Sequence, residues 1–181
     1  IAVMCQKNAE VEDPGIDDLY NVGIVADIIK ILELPDNNTN VILQGRSRCI
    51  LNNITAESPF LRGNISLIDE IFPSTSDKEF AALMYSIKEL VSHILRDMDG
   101  GKEMMFAVKN IDSPIYLINF LAANMPLLPE QKQDMLQEAD LKKRAYKLYS
   151  LLSKEAQFLA LKADIQSKTR EDLSQQQREH F

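Results

Sequence analysis

The sequence predicts an α+β protein: a β-rich lobe over residues 1–73, followed by a helical bundle over residues 74–181 that ends in a long helix from about residue 140. Three observations carry this reading. Before residue 73 the apolar residues lie in short extended runs punctuated by Asn, Gly and Pro. After it, apolar side chains recur at helical intervals. From Asp140 to Phe181 there is neither Gly nor Pro to interrupt a helix.

Strand-like segments are expected at about 1–6, 24–33, 40–54 and 60–72. The second and third form a long hairpin. Ile24, Ala26, Ile28 and Leu32 share one face of an extended strand and Asp27 and Glu33 the other, the period of a half-buried strand, although Val25, Ile29 and Ile31 interrupt it. Pro35, Asp36, Asn37 and Asn38 supply the fixed φ and tolerance of positive φ that a reversal needs, and Val41, Ile42 and Leu43 begin the return strand. This hairpin reads as scaffold, with function on the loops around it.

The helices follow in order. Ser76 and Glu79 have capping-box spacing. Phe80, Leu83, Met84, Ile87, Val91, Ile94, Leu95 and Met98 then recur helically, and Gly100 and Gly101 are expected to stop the helix. A short helix is expected over Glu103–Lys109. Ser113 and Pro114 open another, carrying Leu117, Ile118 and Leu121 before Pro126. Pro129 starts one reaching about Glu138, and these helices together need a shared core. The last helix, capped by Asp140, could reach roughly 60 Å at about 1.5 Å per residue. Leu141, Ala145, Leu148, Leu152 and Leu159 form one seam along it, and Leu151, Phe158 and Ile165 a second. Past Ile165 apolar residues nearly vanish, so that half either frays or projects as a strut.

Composition narrows the function. Of the 181 residues 45% are apolar and 26% charged, enough for a real core. No apolar run approaches the roughly 18 residues of a membrane span, and no signal peptide is expected. A net charge of −7 disfavours nucleic acid, because phosphate binding relies on clustered Lys and Arg. Cys5 and Cys49 make no disulfide framework and read as small buried hydrophobes. The N-x-S/T sequons at Asn37, Asn53 and Asn64 read as chance matches without an export signal. No GxxxxGK[ST] binds nucleotide phosphates, and no Cys or His cluster has metal spacing. His93 reads as a helix-surface residue, and Asp17 and Asp18 as solvated or capping groups beside a turn. No catalytic, cofactor-binding or metal-binding residue is expected.

The order of local motifs says more. DPG at 13–15, DLY at 18–20, VG at 22–23, LPD at 34–36 and QGRSR at 44–48 together resemble the amino-terminal domain of the ATP-dependent Lon proteases. NIDSPIYLINFLAANMPL at 110–127 is similar to that family's D-x-P helix ending in Met-Pro-Leu, and SQQQREHF at 174–181 to a run late in its long helix. The chain departs at Asn37 and Asn38, where the family more often has Gly, and at His180 and Phe181, where paired Tyr is usual. The resemblance implies a PUA-like first lobe, here an incomplete barrel because the family's opening strands are not present. Unpaired edges in such a lobe invite pairing with another copy or loss of order.

The function implied is substrate recognition within a cytoplasmic, hexameric, ATP-dependent serine protease of protein quality control: binding unfolded or regulatory proteins and aiding assembly. The Ser-Lys dyad, the AAA+ motor, and its ATP and Mg would lie in other domains. The residues expected to touch substrate are apolar ones that the pattern places on loops or short helices: Ile16, Phe60, Leu61, Met104, Met105 and Phe106. Two alternatives remain open, a stand-alone Lon-domain receptor without protease machinery and a PUA-like RNA-binding module.

Overall fold

A computed structural model describes residues 1–179, which form two compact units. His180 and Phe181, part of the carboxy-terminal resemblance, lie outside the described residues. The first unit comprises Ile1–Phe72 together with Leu128–Asp140. Its sheet is an antiparallel meander of β1 (Ala2–Val3), β2 (Val22–Glu33), β3 (Thr39–Ala56) and β4 (Arg62–Ile68), with β1 and β4 at the edges and no closure between them.

β2 and β3 pair from Val22↔Ile50 out to Glu33↔Thr39. The turn between them closes with the Leu34 N–H donating to the Asn38 carbonyl at 2.8 Å, and Asn37 takes φ 63°, which Asn tolerates better than most residues. Two bulges punctuate the ladder. Arg46 is extra between Val25↔Ser47 and Ala26↔Gly45, and Ile29 is extra between Ile28↔Leu43 and Lys30↔Ile42. The second bulge corrects the simple alternation expected for this strand: an added residue exchanges the two faces beyond it, so Leu32 leaves the face of Ile28 and Ile31 joins it.

Residues 128–140, read from the sequence as part of the bundle, pack with the sheet instead. Helix α4 (Pro129–Gln137) buries Met135, and its buried Gln133 donates from Nε2 to the Val22 carbonyl at 2.9 Å. The Ile71 N–H donates to the Ala139 carbonyl at 3.0 Å, and Ile71 pairs in parallel with Asp140. Val22, Ala26 and Cys49 complete a small apolar centre, where burial pushes the Cys49 thiol pKa up.

The second unit comprises Pro73–Leu127 and the chain from Leu141. It contains α1 (Lys78–Leu95), α2 (Gly101–Lys109), α3 (Pro114–Asn124) and α5 (Leu141–Glu179). The cap of α1 is Asp77 rather than Ser76, its carboxylate accepting from the Phe80 N–H at 2.9 Å. α1 also ends at Leu95, before Met98, where a turn closes by the Met98 N–H donating to the Leu95 carbonyl at 3.3 Å. Gly100 and Gly101 therefore open α2 instead of closing α1. Leu83, Ile87, Val91 and Ile94 of α1, Val108 of α2, and Leu117, Ile118 and Leu121 of α3 form a core with Leu141, Ala145, Leu148 and Leu152 of α5. Arg144 is buried among them, its Nη1 donating to Asn119 Oδ1 at 3.2 Å. The first turns of α1 and α5 are tied by Lys142, whose Nζ lies 2.9 Å from Asp77 and 2.8 Å from Glu79, and by the Tyr146 hydroxyl donating to Glu79. Past residue 159, α5 is exposed through Leu173.

Candidate protein-binding surface

β1 pairs only with Ile24 and Val25, and β4 only with β3 from Arg48 onward, so residues 27–46 extend beyond the sheet as a two-stranded arm. Directly opposed residues of an antiparallel pair share a face. One face of the arm therefore carries Ile28, Ile31, Val41 and Leu43, and the other Leu32 and Ile42 beside Lys30 and Asn40. Adding Ile29 at the bulge and Leu34 at the turn, these large aliphatic side chains are 36–57% exposed. Together they offer water roughly 600 Å² of apolar surface over both faces, comparable with the largest single patch on an ordinary monomer. A two-stranded ribbon is marginal in water. This one is anchored by Asp27 pairing with Arg46 beside one bulge, and by Asp36 at the turn, whose carboxylate accepts from the Asn38 N–H at 3.2 Å and its side-chain amide at 2.7 Å. Those bonds hold the Asp36 carboxyl below its usual range, the backbone N–H contributing most.

Ile16, Phe60 and Leu61 also lie in the first unit and are exposed. Ile16 begins a 3-10 turn, Ile16–Asp18, in which the Asp18 carboxylate accepts from the Gly15 N–H at 2.9 Å. Phe60 and Leu61 sit in the β3–β4 connection, with the Arg62 guanidinium 4.7 Å from the Phe60 ring centre. Met104, Met105 and Phe106 lie on α2 in the second unit, the two methionines half-buried and Phe106 73% exposed. The arm itself was absent from those candidates, although the sequence held a signal for it: consecutive apolar residues at Ile28-Ile29 and Ile31-Leu32, which a strand with one wet face would not need.

Charge divides unevenly between the units. The first holds six Lys or Arg against fifteen Asp or Glu, a formal charge of −9, and the remainder fourteen against twelve, or +2. Among the described residues no group of three or more His, Cys, Asp or Glu could hold a metal ion, and no helix is long and apolar enough to cross a membrane. An exposed apolar arm on an acidic lobe is chemically equipped to bind, by burying its aliphatic surface.

The fold is similar to that of the N-terminal domain of the Mycobacterium avium complex Lon protease, with a TM-score of 0.63 at 17% identity over 84% of this chain and 90% of that one. In sequence the chain is 43% identical over 182 residues to the Lon protease of Parabacteroides distasonis, and 43% identical over 182 residues to that of Flavobacterium johnsoniae. In both cases 100% of this chain is covered but 22% of the relative, so the chain spans about a fifth of the length of these proteins. Residues 1–154 match the profile of the ATP-dependent protease La (LON) substrate-binding domain, and to that family the chain belongs.

Proposed function

We propose that the chain captures exposed apolar segments of unfolded or regulatory proteins for a cytoplasmic ATP-dependent serine protease, and helps that protease assemble as a hexamer. The chemistry, with its ATP and Mg, falls to other domains. The observation that carries this reading is the arm: large aliphatic side chains held in water on both faces of a ribbon. The exposed Phe158, Leu161 and Ile165, at helical spacing on α5, support a second contact serving assembly or coupling. RNA binding finds no support in a lobe with a formal charge of −9.

The test is fluorescence anisotropy of a labelled protein kept unfolded by reduction and carboxymethylation, titrated with the chain and with an Ile31→Ser/Val41→Ser double variant. Both substitutions lie on one face of the arm. Binding should weaken at least about tenfold in the variant, a change of about 1.4 kcal/mol. Unchanged affinity, or equal binding of the same protein in its native state, would overturn the reading.

A further inference from the structure

We propose that the outer edge of β3, from Thr39 to Gly45, takes an extended, continuously apolar segment flanked by Lys or Arg as an added strand. This rests on the reading that the chain binds unfolded protein. It specifies how the segment is held and which segments are preferred.

The first argument is backbone geometry. Among the described residues no strand pairs with this edge: β4 stops at Arg48↔Ile68, and the chain then turns away to bond Ala139 through Ile71. Asn38 directs its carbonyl inward to the Leu34 N–H, and the register steps one β3 residue at a time from Thr39 to Gly45. Backbone polar groups alternate sides along a strand, so Asn40, Ile42 and Gln44 face β2. Thr39, Val41, Leu43 and Gly45 aim N–H and C=O outward, a row of donors and acceptors at the spacing of a partner strand.

The second argument is side-chain chemistry. A strand added here meets Val41 and Leu43 on one face and Ile42 on the other. A segment alternating apolar with polar residues would satisfy one face only. A segment apolar at successive positions satisfies both, and in folded proteins such segments are interior strands, exposed only when the fold is lost.

The third argument is charge. On the arm Arg46 is paired with Asp27 and Lys30 opposes Ile42, while the tip carries Glu33 opposite Thr39 and Asp36 in the turn, and the unit as a whole carries −9. That field attracts cationic flanks and repels a second copy of the same lobe.

The experiment titrates the full chain with three labelled peptides: a run of Val and Ile flanked by Lys, the same run flanked by Glu, and the Lys-flanked peptide N-methylated at every residue of the run, which leaves neither backbone edge with donors. The Lys-flanked peptide should bind and protect the Val41 and Leu43 amides from hydrogen exchange. N-methylation should weaken binding about tenfold or more, since it deletes donors and leaves apolar side chains in place. Glu flanks should weaken it about tenfold at low salt, with the difference shrinking at high salt. Val41→Pro removes one outward donor without touching the β2–β3 ladder, and should mimic the N-methyl effect. Equal binding of the N-methylated peptide overturns strand addition while leaving substrate capture standing. Equal binding of Lys- and Glu-flanked peptides overturns the charge preference. Failure of every peptide, together with failure of the carboxymethylated protein, removes both readings. A concentration-dependent dimer abolished by Val41→Pro would assign the edge to a second copy instead.

Discussion

Replacing Gly101 by Ala separates two reasons for glycine that stand side by side in this chain. A Cβ on Gly101 would lie 1.9 Å from the Leu95 carbonyl oxygen and 3.0 Å from its carbon. Both partners are backbone, so no side chain can swing aside. Restoring even a tight 3 Å contact requires a relative displacement of about 1 Å between the start of α2 and the end of α1, where Gly101 and Leu95 are buried. Overpacking of this kind costs about 1–3 kcal/mol, and more when the backbone cannot yield, so about 3 kcal/mol is expected. Gly100 differs: its Cβ would meet nothing within 4 Å, but φ is +72°. Ala there costs about 1–2 kcal/mol in left-handed strain, partly offset by about 0.4–1 kcal/mol from the less flexible unfolded chain. Urea unfolding followed by far-ultraviolet circular dichroism, which reports the helices, should therefore rank Gly101→Ala well below Gly100→Ala in midpoint. Gly100→Asn should recover part of the loss at its own site, because Asn visits that region more readily. If Gly101→Ala costs no more than Gly100→Ala, the close approach of α2 to Leu95 is not what fixes glycine there.

Further outcomes follow from other contacts. Gln133→Ala removes the donor to the buried Val22 carbonyl and should cost about 1–3 kcal/mol; amide exchange around Val22 should speed up while that of Leu148 in the second unit stays slow. Leu148→Ala, at a fully buried position of α5, should cost about 2–5 kcal/mol in chemical denaturation. The Lys142 cluster gives a pH dependence. Its hydrogen bonds to Lys142 hold Asp77 and Glu79 below their usual pKa, and their carboxylates hold Lys142 above its own. Carboxylates depressed in this way stabilise above their unfolded pKa near 4 and lose that effect as pH falls through the folded value, whereas the raised Lys contributes below about 10 and loses it above. The melting temperature of Lys142→Met should therefore fall below that of the parent at neutral pH, and the gap should close as the pH drops below about 4.

The sequence showed most where one face of an element meets one core. α1 was legible because Phe80, Leu83, Ile87, Val91 and Ile94 all enter a single core, and the LPDNN turn because its residues carry their own φ preferences. The destination of α4 was not legible. It buries only Gln133 and Met135, too few to form a periodic stripe, and the bond that holds it to the sheet joins residues 111 positions apart. The exposure of the arm was hidden for a related reason: whether an apolar strand is wet depends on how far its neighbours extend, and β1 and β4 stop short. The faces beyond Ile29 were misassigned because a bulge is a property of the pair, which one strand's pattern does not reveal.

The return of residues 128–140 to the sheet sets an order of events on the ribosome. The first unit cannot be completed until Asp140 has left the ribosome, by which time α1, α2 and α3 have already emerged. The helices meanwhile lack Leu141–Leu152, which supply one wall of their core and come last. Domains usually mature from the amino terminus as they are made. In this chain both units wait for the same few residues around Asp140 and Leu141, so a pause or a truncation just before them leaves two half-built cores exposed together rather than one finished and one pending.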